Sequence, residues 1–359
     1  MQSKLISLAM LIVFLTGTAF TPAAAPSTGI TVTDALGREV TLPGTPQRIV
    51  LVGKALFMVA DAIYAFPEAG KNIVALGSTA QGPSNFIPII DPAFKDKIAL
   101  EIDAGPEQIA AANPDCVILK SSNKSTIGDP LEELNIPVIY MDFETPEQYD
   151  RDMKTMGQIF QNPKRAEEIL TYFKGTMDTV TKTLSTVKEE DKPRTLVLYY
   201  SDKDGAVSFN VPPMGWMQTI LIKNGGGIPV WEDANPSKGW TKVNFEQVAA
   251  WDPDVIFVVA YFNPLDEVVG ILKADTQWKE LKAVKNKRVF GFATDIYSWD
   301  QPDTRWALGL QWVASILHPD LFKDWDITAA SKDFYQKIYA MDDATFEKDI
   351  VPSLKEEVK

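Results

Sequence analysis

The chain has 359 residues, 45% hydrophobic and 23% charged, which is the composition of a soluble globular protein long enough for about two domains. Its acidic excess, net charge -13, opposes binding to nucleic acid or an anionic membrane surface, and no Lys/Arg cluster with interleaved aromatics offsets it. The single cysteine, Cys116, rules out an internal disulfide, and the single histidine, His318, rules out a His-rich site for bare zinc or manganese.

In chain order, residues 1–25 combine Lys4, an apolar stretch from Leu5 to Phe20 and the small run Ala23-Ala24-Ala25, the arrangement of a secretory signal peptide. The apolar stretch is shorter than the ~20 residues that span a bilayer and is broken by Ser7, Thr16 and Gly17. No cysteine lies there to carry a lipid, so the mature chain is expected free in the periplasm.

Short apolar runs bounded by polar or Pro residues then predict strands buried on both faces: RIVLVG (48–53), KNIVALG (71–77) and IPVIYM (136–141). RTLVLYY (194–200) and KRVFGF (287–292) form a second set, and helical stretches alternate with the strands as in parallel α/β sheets. One segment occurs twice, as EQIAAANPDCVI (107–118) and EQVAAWDPDVIF (246–257). Each copy reads as a short helix opened by an acid, a stop at Pro114 or Pro253, and a buried strand. Two copies imply two similar α/β lobes. Cys116 falls in the first such strand, where a small buried role is expected rather than a reactive thiol.

Between the two sets, apolar residues recur at helical spacing from Thr145 to about Lys188, in two helices that meet at Asn162-Pro163. The second, from Pro163 to about Val187, carries Pro only at its start and, at ~1.5 Å per residue, is long enough to bridge two domains. The expected organisation is an N-terminal lobe (26–160), a bridging helix (161–190) and a C-terminal lobe (191–359). Gly225-Gly226-Gly227 follows the helical stretch Trp216 to Lys223 and reads as a C-cap, not as a dinucleotide loop. Trp306 and Trp312 share helical spacing with Leu308, Val313 and Ile316, and His318 ends that helix against Pro319.

An opening VTDALGREVTLPGTPQRIV (32–50), two EQ-x-A-A-x-x-P-D units, a bridging helix and a closing FYQKIYAMDDATFEKDI (334–350) occur in one order. The chain resembles the substrate-binding proteins of ABC importers for iron siderophores, haem, corrinoids and some oxyanions. The resemblance implies two Rossmann-like lobes joined by one long helix, a ligand cleft between them, and no permanent cofactor. It also implies a monomer that delivers its ligand to a membrane permease driven by a cytoplasmic ATPase. One acid per lobe docks the permease in such proteins, which selects Glu107 and Glu246. The alternative is that each acid only complements its helix dipole, worth about 0.3–1 kcal/mol.

Cleft residues are expected in loops at the carboxyl ends of strands. These are Lys54, Gly77 to Asn85 with Gln81, Lys120 to Lys124, Tyr199 to Lys203, Tyr261 and Phe262, and Tyr297 to Asp300. In SWDQPDTR (298–305), Asp300 or Asp303 is expected to cap the next helix with Pro302 in its first turn, and similar Ser-Trp-Asp-x-Pro loops in the family place Trp299 in the cleft. For an oxyanion the partners would be Arg305, Lys54 and Lys124. For a siderophore or corrinoid, Trp216, Trp240, Tyr200 and Trp299 would stack, and for haem Tyr200, Tyr261 or Tyr297 would be the axial ligand. The sequence leaves these open. An extracytoplasmic enzyme is the competing class, but His318 has no G-x-S-x-G or Cys-His companion, which leaves only paired carboxylates.

Overall fold

The computed structural model describes residues 29–78, 85–202 and 206–354. The signal-peptide segment 1–25 and the candidate Gln81 lie outside these residues. An antiparallel hairpin, β1 (Ile30–Thr33) and β2 (Glu39–Leu42), opens the fold. The N-terminal sheet follows, with β3 (Ile49–Leu51), β4 (Ile73–Gly77), β5 (Ile98–Leu100), β6 (Cys116–Leu119) and β7 (Val138–Tyr140). Its order is β5-β4-β3-β6-β7, all parallel.

The C-terminal sheet contains β8 (Arg194–Ser201), β9 (Ser208–Val211), β10 (Ile228–Pro229), β11 (Thr241–Val243), β12 (Val255–Val259) and β13 (Val289–Gly291). Its path is β11-β9-β8-β12-β13, with β10 beside the start of β8. Here the structure departs from the all-parallel expectation. β9 pairs antiparallel with β8, Ser201 opposite Ser208, and a connection this short in sequence allows only antiparallel neighbours; β11 then adds antiparallel to β9. The strands on both sides of each sheet's centre are buried on both faces, as their apolar runs require.

The duplicated segment builds the same local structure twice. Its helices are Pro106–Ala111 and Phe245–Trp251, and its strands, β6 and β12, lie parallel to the central β3 and β8. Gln108 Oε1 accepts the Gly105 N–H at 2.9 Å and Gln247 Oε1 the Asn244 N–H at 3.0 Å, so the Gln of each copy caps its helix. Asn113 and Asp252, each before a proline, take positive φ (50° and 39°) where the helix stops. The following acid ties the helix end to the neighbouring strand. Asp115 accepts the N–H of Gln47 and Arg48 at 2.7 and 2.9 Å, and Asp254 accepts that of Arg194 at 2.9 Å. Arg48 and Arg194 in turn donate to the orphan carbonyls of Ala112 and Trp251 at 2.7 and 2.9 Å.

The bridging helix spans Pro163–Thr183 and tightens into a 3₁₀ turn, Leu184–Thr186. Asn162 caps it, accepting the Arg165 N–H at 3.1 Å, with Pro163 in the first turn. Its buried stripe, Ala166, Ile169, Phe173 and Val180, packs on the preceding helix Pro146–Ile159 and on the helix Trp306–Leu317 of the C-terminal lobe. Trp306 stacks on Phe173 at 5.1 Å. The glycine run is a C-cap: Met217–Asn224 ends at Gly225, and Gly227 donates to Ile222 O at 2.8 Å. Gly226 has φ +85° and lies so close to His318 that a Cβ would meet Nε2 at 2.5 Å.

Candidate ligand-binding cleft

In the N-terminal sheet the chain proceeds from β3 outward to β4 and β5, then crosses back to β6 and β7. The crevice at such a switch point opens beyond the carboxyl ends of β3 and β6, and in the other lobe beyond those of β8 and β12. The two crevices face each other. Ala55, Met58 and Glu144 of the N-terminal lobe meet Tyr199, Trp216, Trp240, Tyr261 and Phe262 of the C-terminal lobe around a cavity of about 360 Å³. Met217, Gln218, Gln301 and Pro302 complete it. Two larger hollows, about 830 and 880 Å³, run along the bridging helix and are lined by its own side chains, such as Lys164 and Lys174, away from the switch points.

Four rings make a continuous wall. Tyr199 lies 5.0 Å from both Trp240 and Tyr261, and Trp216 meets Trp240 edge-on at 5.7 Å. Phe262 stands at the mouth, 69% exposed. Behind the wall Asp300 is fully buried and accepts three side-chain donors: Ser298 Oγ at 2.5 Å, Tyr261 Oη at 2.5 Å and Gln218 Nε2 at 2.9 Å. Burial raises the Asp300 carboxyl above its ordinary value and these hydrogen bonds oppose the shift. Burial, reinforced by Asp300, holds the Tyr261 phenol well above the usual range. Across the cavity, Glu144 pairs with the buried ammonium of Lys120. Among the described residues no three His, Cys, Asp or Glu side chains gather as ligands for a bare metal ion.

The model of the periplasmic binding protein family matches residues 51–295, which carry all of the cavity lining except Gln301 and Pro302. The chain belongs to the periplasmic binding protein family. It is 24% identical over 334 residues to the molybdate-binding protein MolA of Haemophilus influenzae, covering 86% of this chain and 90% of that one. The Fe(3+)-citrate-binding protein YfmC of Bacillus subtilis is 23% identical over 268 residues, covering 72% and 77%. Among solved structures, molybdate-bound MolA superposes with TM-score 0.71 at 22% identity, covering 87% of this chain and 98% of that one. Helicobacter pylori CeuE with Ni(II) gives 0.70 at 19%, covering 89% and 99%. These superpositions establish the two-lobed fold.

In this periplasmic binding protein the candidate residues divide. Trp216, Trp240 and Tyr261 line the cleft. Lys54 is exposed beside Ala55, its backbone N 3.5 Å from Asn123 Oδ1, and Lys124 pairs with Asp129. Tyr200 is a correction. Alternation along β8 turns it away from the cleft, 7% exposed and packed on Phe209, and gives the wall position to Tyr199. Trp299 is a second, because it is fully buried in the core. Its carbonyl packs so close to Gly309 of the next helix that a Cβ there would meet it at 2.3 Å. Asp300 acts through Tyr261 and Gln218 instead of touching the cavity. Tyr297 accepts the Phe86 N–H at 3.2 Å inside the lobe junction. The helix begins only at Trp306, so Pro302 precedes it and Asp303 accepts the Arg305 N–H at 2.6 Å.

Arg305 is the third correction. It is fully buried between the lobes, 2.7 Å from Asp61 of the N-terminal lobe, 2.8 Å from Asp295 and 3.5 Å from Asp303, with its guanidinium over the Phe86 ring at 4.4 Å. Its charge is spent on holding the lobes together and is not offered to the cleft. Glu107 and Glu246 are exposed in the first turns of the two repeat helices and make no hydrogen bond or ion pair among the described residues. Met58, Glu144 and Gln218 were not anticipated. Glu144 carried a usable signal, since it follows the carboxyl end of β7, whereas Met58 and Gln218 sit in first helical turns that look like ordinary apolar faces.

Proposed function

We propose that this chain is the exported solute receptor of an ABC importer, holding a chelated metal (a ferric siderophore, haem or a corrinoid) in the interlobe cleft and passing it to a permease driven by a cytoplasmic ATPase. The observation that carries this reading is the wall of Tyr199, Trp216, Trp240 and Tyr261 between the lobes, an aromatic surface for the apolar face of a chelate. Residues 1–25 serve as the export signal. The receptor works as a monomer, keeps no cofactor and turns nothing over. A molybdate or tungstate receptor is the second reading, supported by similarity to MolA over 86% of this chain.

Thermal-shift and calorimetric screening against ferric siderophores, haem, cobalamin, molybdate and tungstate tests both. A chelate that raises the melting temperature and quenches tryptophan supports the first reading, a response to the oxyanions alone supports the second, and product formation overturns both. Glu107 and Glu246 dock the permease. Support comes from their equivalent positions and their lack of a side-chain partner among the described residues, whereas the Gln and Asp of each repeat are occupied. The double variant Glu107→Gln/Glu246→Gln should abolish uptake in cells while the affinity measured by calorimetry stays unchanged. Weakened ligand binding would refute the docking role.

A further inference from the structure

The charge carried by the cleft points to the charge of its ligand. Tyr199, Trp216, Trp240 and Tyr261 supply the aromatic surface of the cavity, and Tyr261 gives its O–H to Asp300, which enriches its ring further. Asp300 sits immediately behind the wall, with three donors converging on it as on an ionised carboxylate. Gln218, spending its Nε2 on Asp300, is left with Oε1 as an acceptor that has no partner. On the opposite wall the charged side chain facing the cavity is the carboxylate of Glu144. Its partner Lys120 is held back among Glu144 and Met58, with Nζ 3.4 Å from Met58 Sδ, and is only 6% exposed.

Two features of opposite sign remain. The first turns of Leu56–Tyr64 and Met217–Asn224 reach the cavity without side-chain caps, bringing about half an elementary charge each. Lys54 is solvated at the rim. The helix-end charges are partial and Lys54 is solvated, whereas Asp300 is a fully buried carboxylate and Glu144, although paired with Lys120 and 36% exposed, is the charged group that lines the cavity.

We infer that the cleft selects ligands of positive or zero charge with a flat or apolar face, an organic cation or a cationic to neutral metal chelate, with Glu144 as the residue that sets this preference. The inference rests on the receptor reading above. A fully deprotonated oxyanion, which has acceptors only, would meet the Glu144 carboxylate and the aromatic wall.

The test uses probes that do not depend on knowing the natural cargo: benzyltrimethylammonium and benzylsulfonate, alike in ring and size but opposite in charge, together with molybdate. Binding is followed by tryptophan fluorescence and calorimetry, and melting temperature serves as the folding control. The cation should bind about tenfold more tightly than the sulfonate. Glu144→Gln, which leaves Lys120 unpaired at the wall, should erase or reverse that ratio, and Trp240→Leu should weaken the cation about tenfold with the sulfonate little changed. Tighter or equal binding of the sulfonate or molybdate by the unmodified protein, an unchanged ratio in Glu144→Gln, or no binding of either benzyl probe would overturn the inference. An anion preference leaves the receptor reading standing, whereas failure of every cargo in the thermal-shift screen removes the reading itself.

Discussion

Asp61 is fully buried at the lobe junction: burial pushes its pKa up to about 6 against the pull of Arg305, and Asp303 beside the same guanidinium is raised well above its ordinary value. A carboxyl whose native pKa lies above its unfolded value binds protons more readily in the folded state. Its contribution is therefore fully present below about pH 4 and is lost as the pH rises through about 6. Asp61→Asn removes this term. Calorimetric melting from pH 4 to 7 should show the native protein losing stability relative to Asp61→Asn as the pH rises, and parallel curves would show that Asp61 does not titrate there. The carboxylate cluster around this guanidinium was invisible beforehand, because Asp61 and Asp295 reach Arg305 only through the fold, although Asp303 is its near neighbour in sequence.

At the scale of elements, the duplicated segment separates structural from spare residues. Asp254→Ala would strip acceptors from the Arg194 backbone N–H and the Lys282 ammonium, and should cost about 1–3 kcal/mol in urea unfolding. Glu246→Gln, which breaks no bond, should cost less than about 1 kcal/mol. Equal losses would mean that the glutamate also holds the lobe together. The helix, the Pro stop and the strand of each copy were legible because caps, prolines and β-branched runs act locally. The arginine clamp was not, since Arg48 and Arg194 lie 67 and 60 positions from the acids they meet. The antiparallel pairing of β9 with β8 did have a local signal in Asp204-Gly205, whereas the pairing of β11 with β9 joins segments far apart in sequence and had none.

At the scale of the molecule, the lobes are joined twice, by the bridging helix and by the junction in which Arg305, Tyr335 and Tyr339 reach Asp61 and Phe86. Arg305→Met would leave three buried carboxylates without their cation and should destabilise the protein by about 3–5 kcal/mol in denaturant unfolding, with the two lobes beginning to melt separately. A single unshifted transition would assign the coupling to the bridging helix alone. By itself the sequence determined the two α/β lobes, their connecting helix and the family, because strand and helix periods, proline stops and glycine caps are written within a few residues of where they act. Only the tertiary structure decided which side chains line the interlobe cavity: Tyr199 and not its neighbour Tyr200, Trp240 and not Trp299, Glu144 and not Arg305. These residues are chemically similar or equally polar in sequence. What separates them is the long-range approach of two sheets' carboxyl ends, which turns one member of each pair toward a shared cavity and buries the other in a core or a junction.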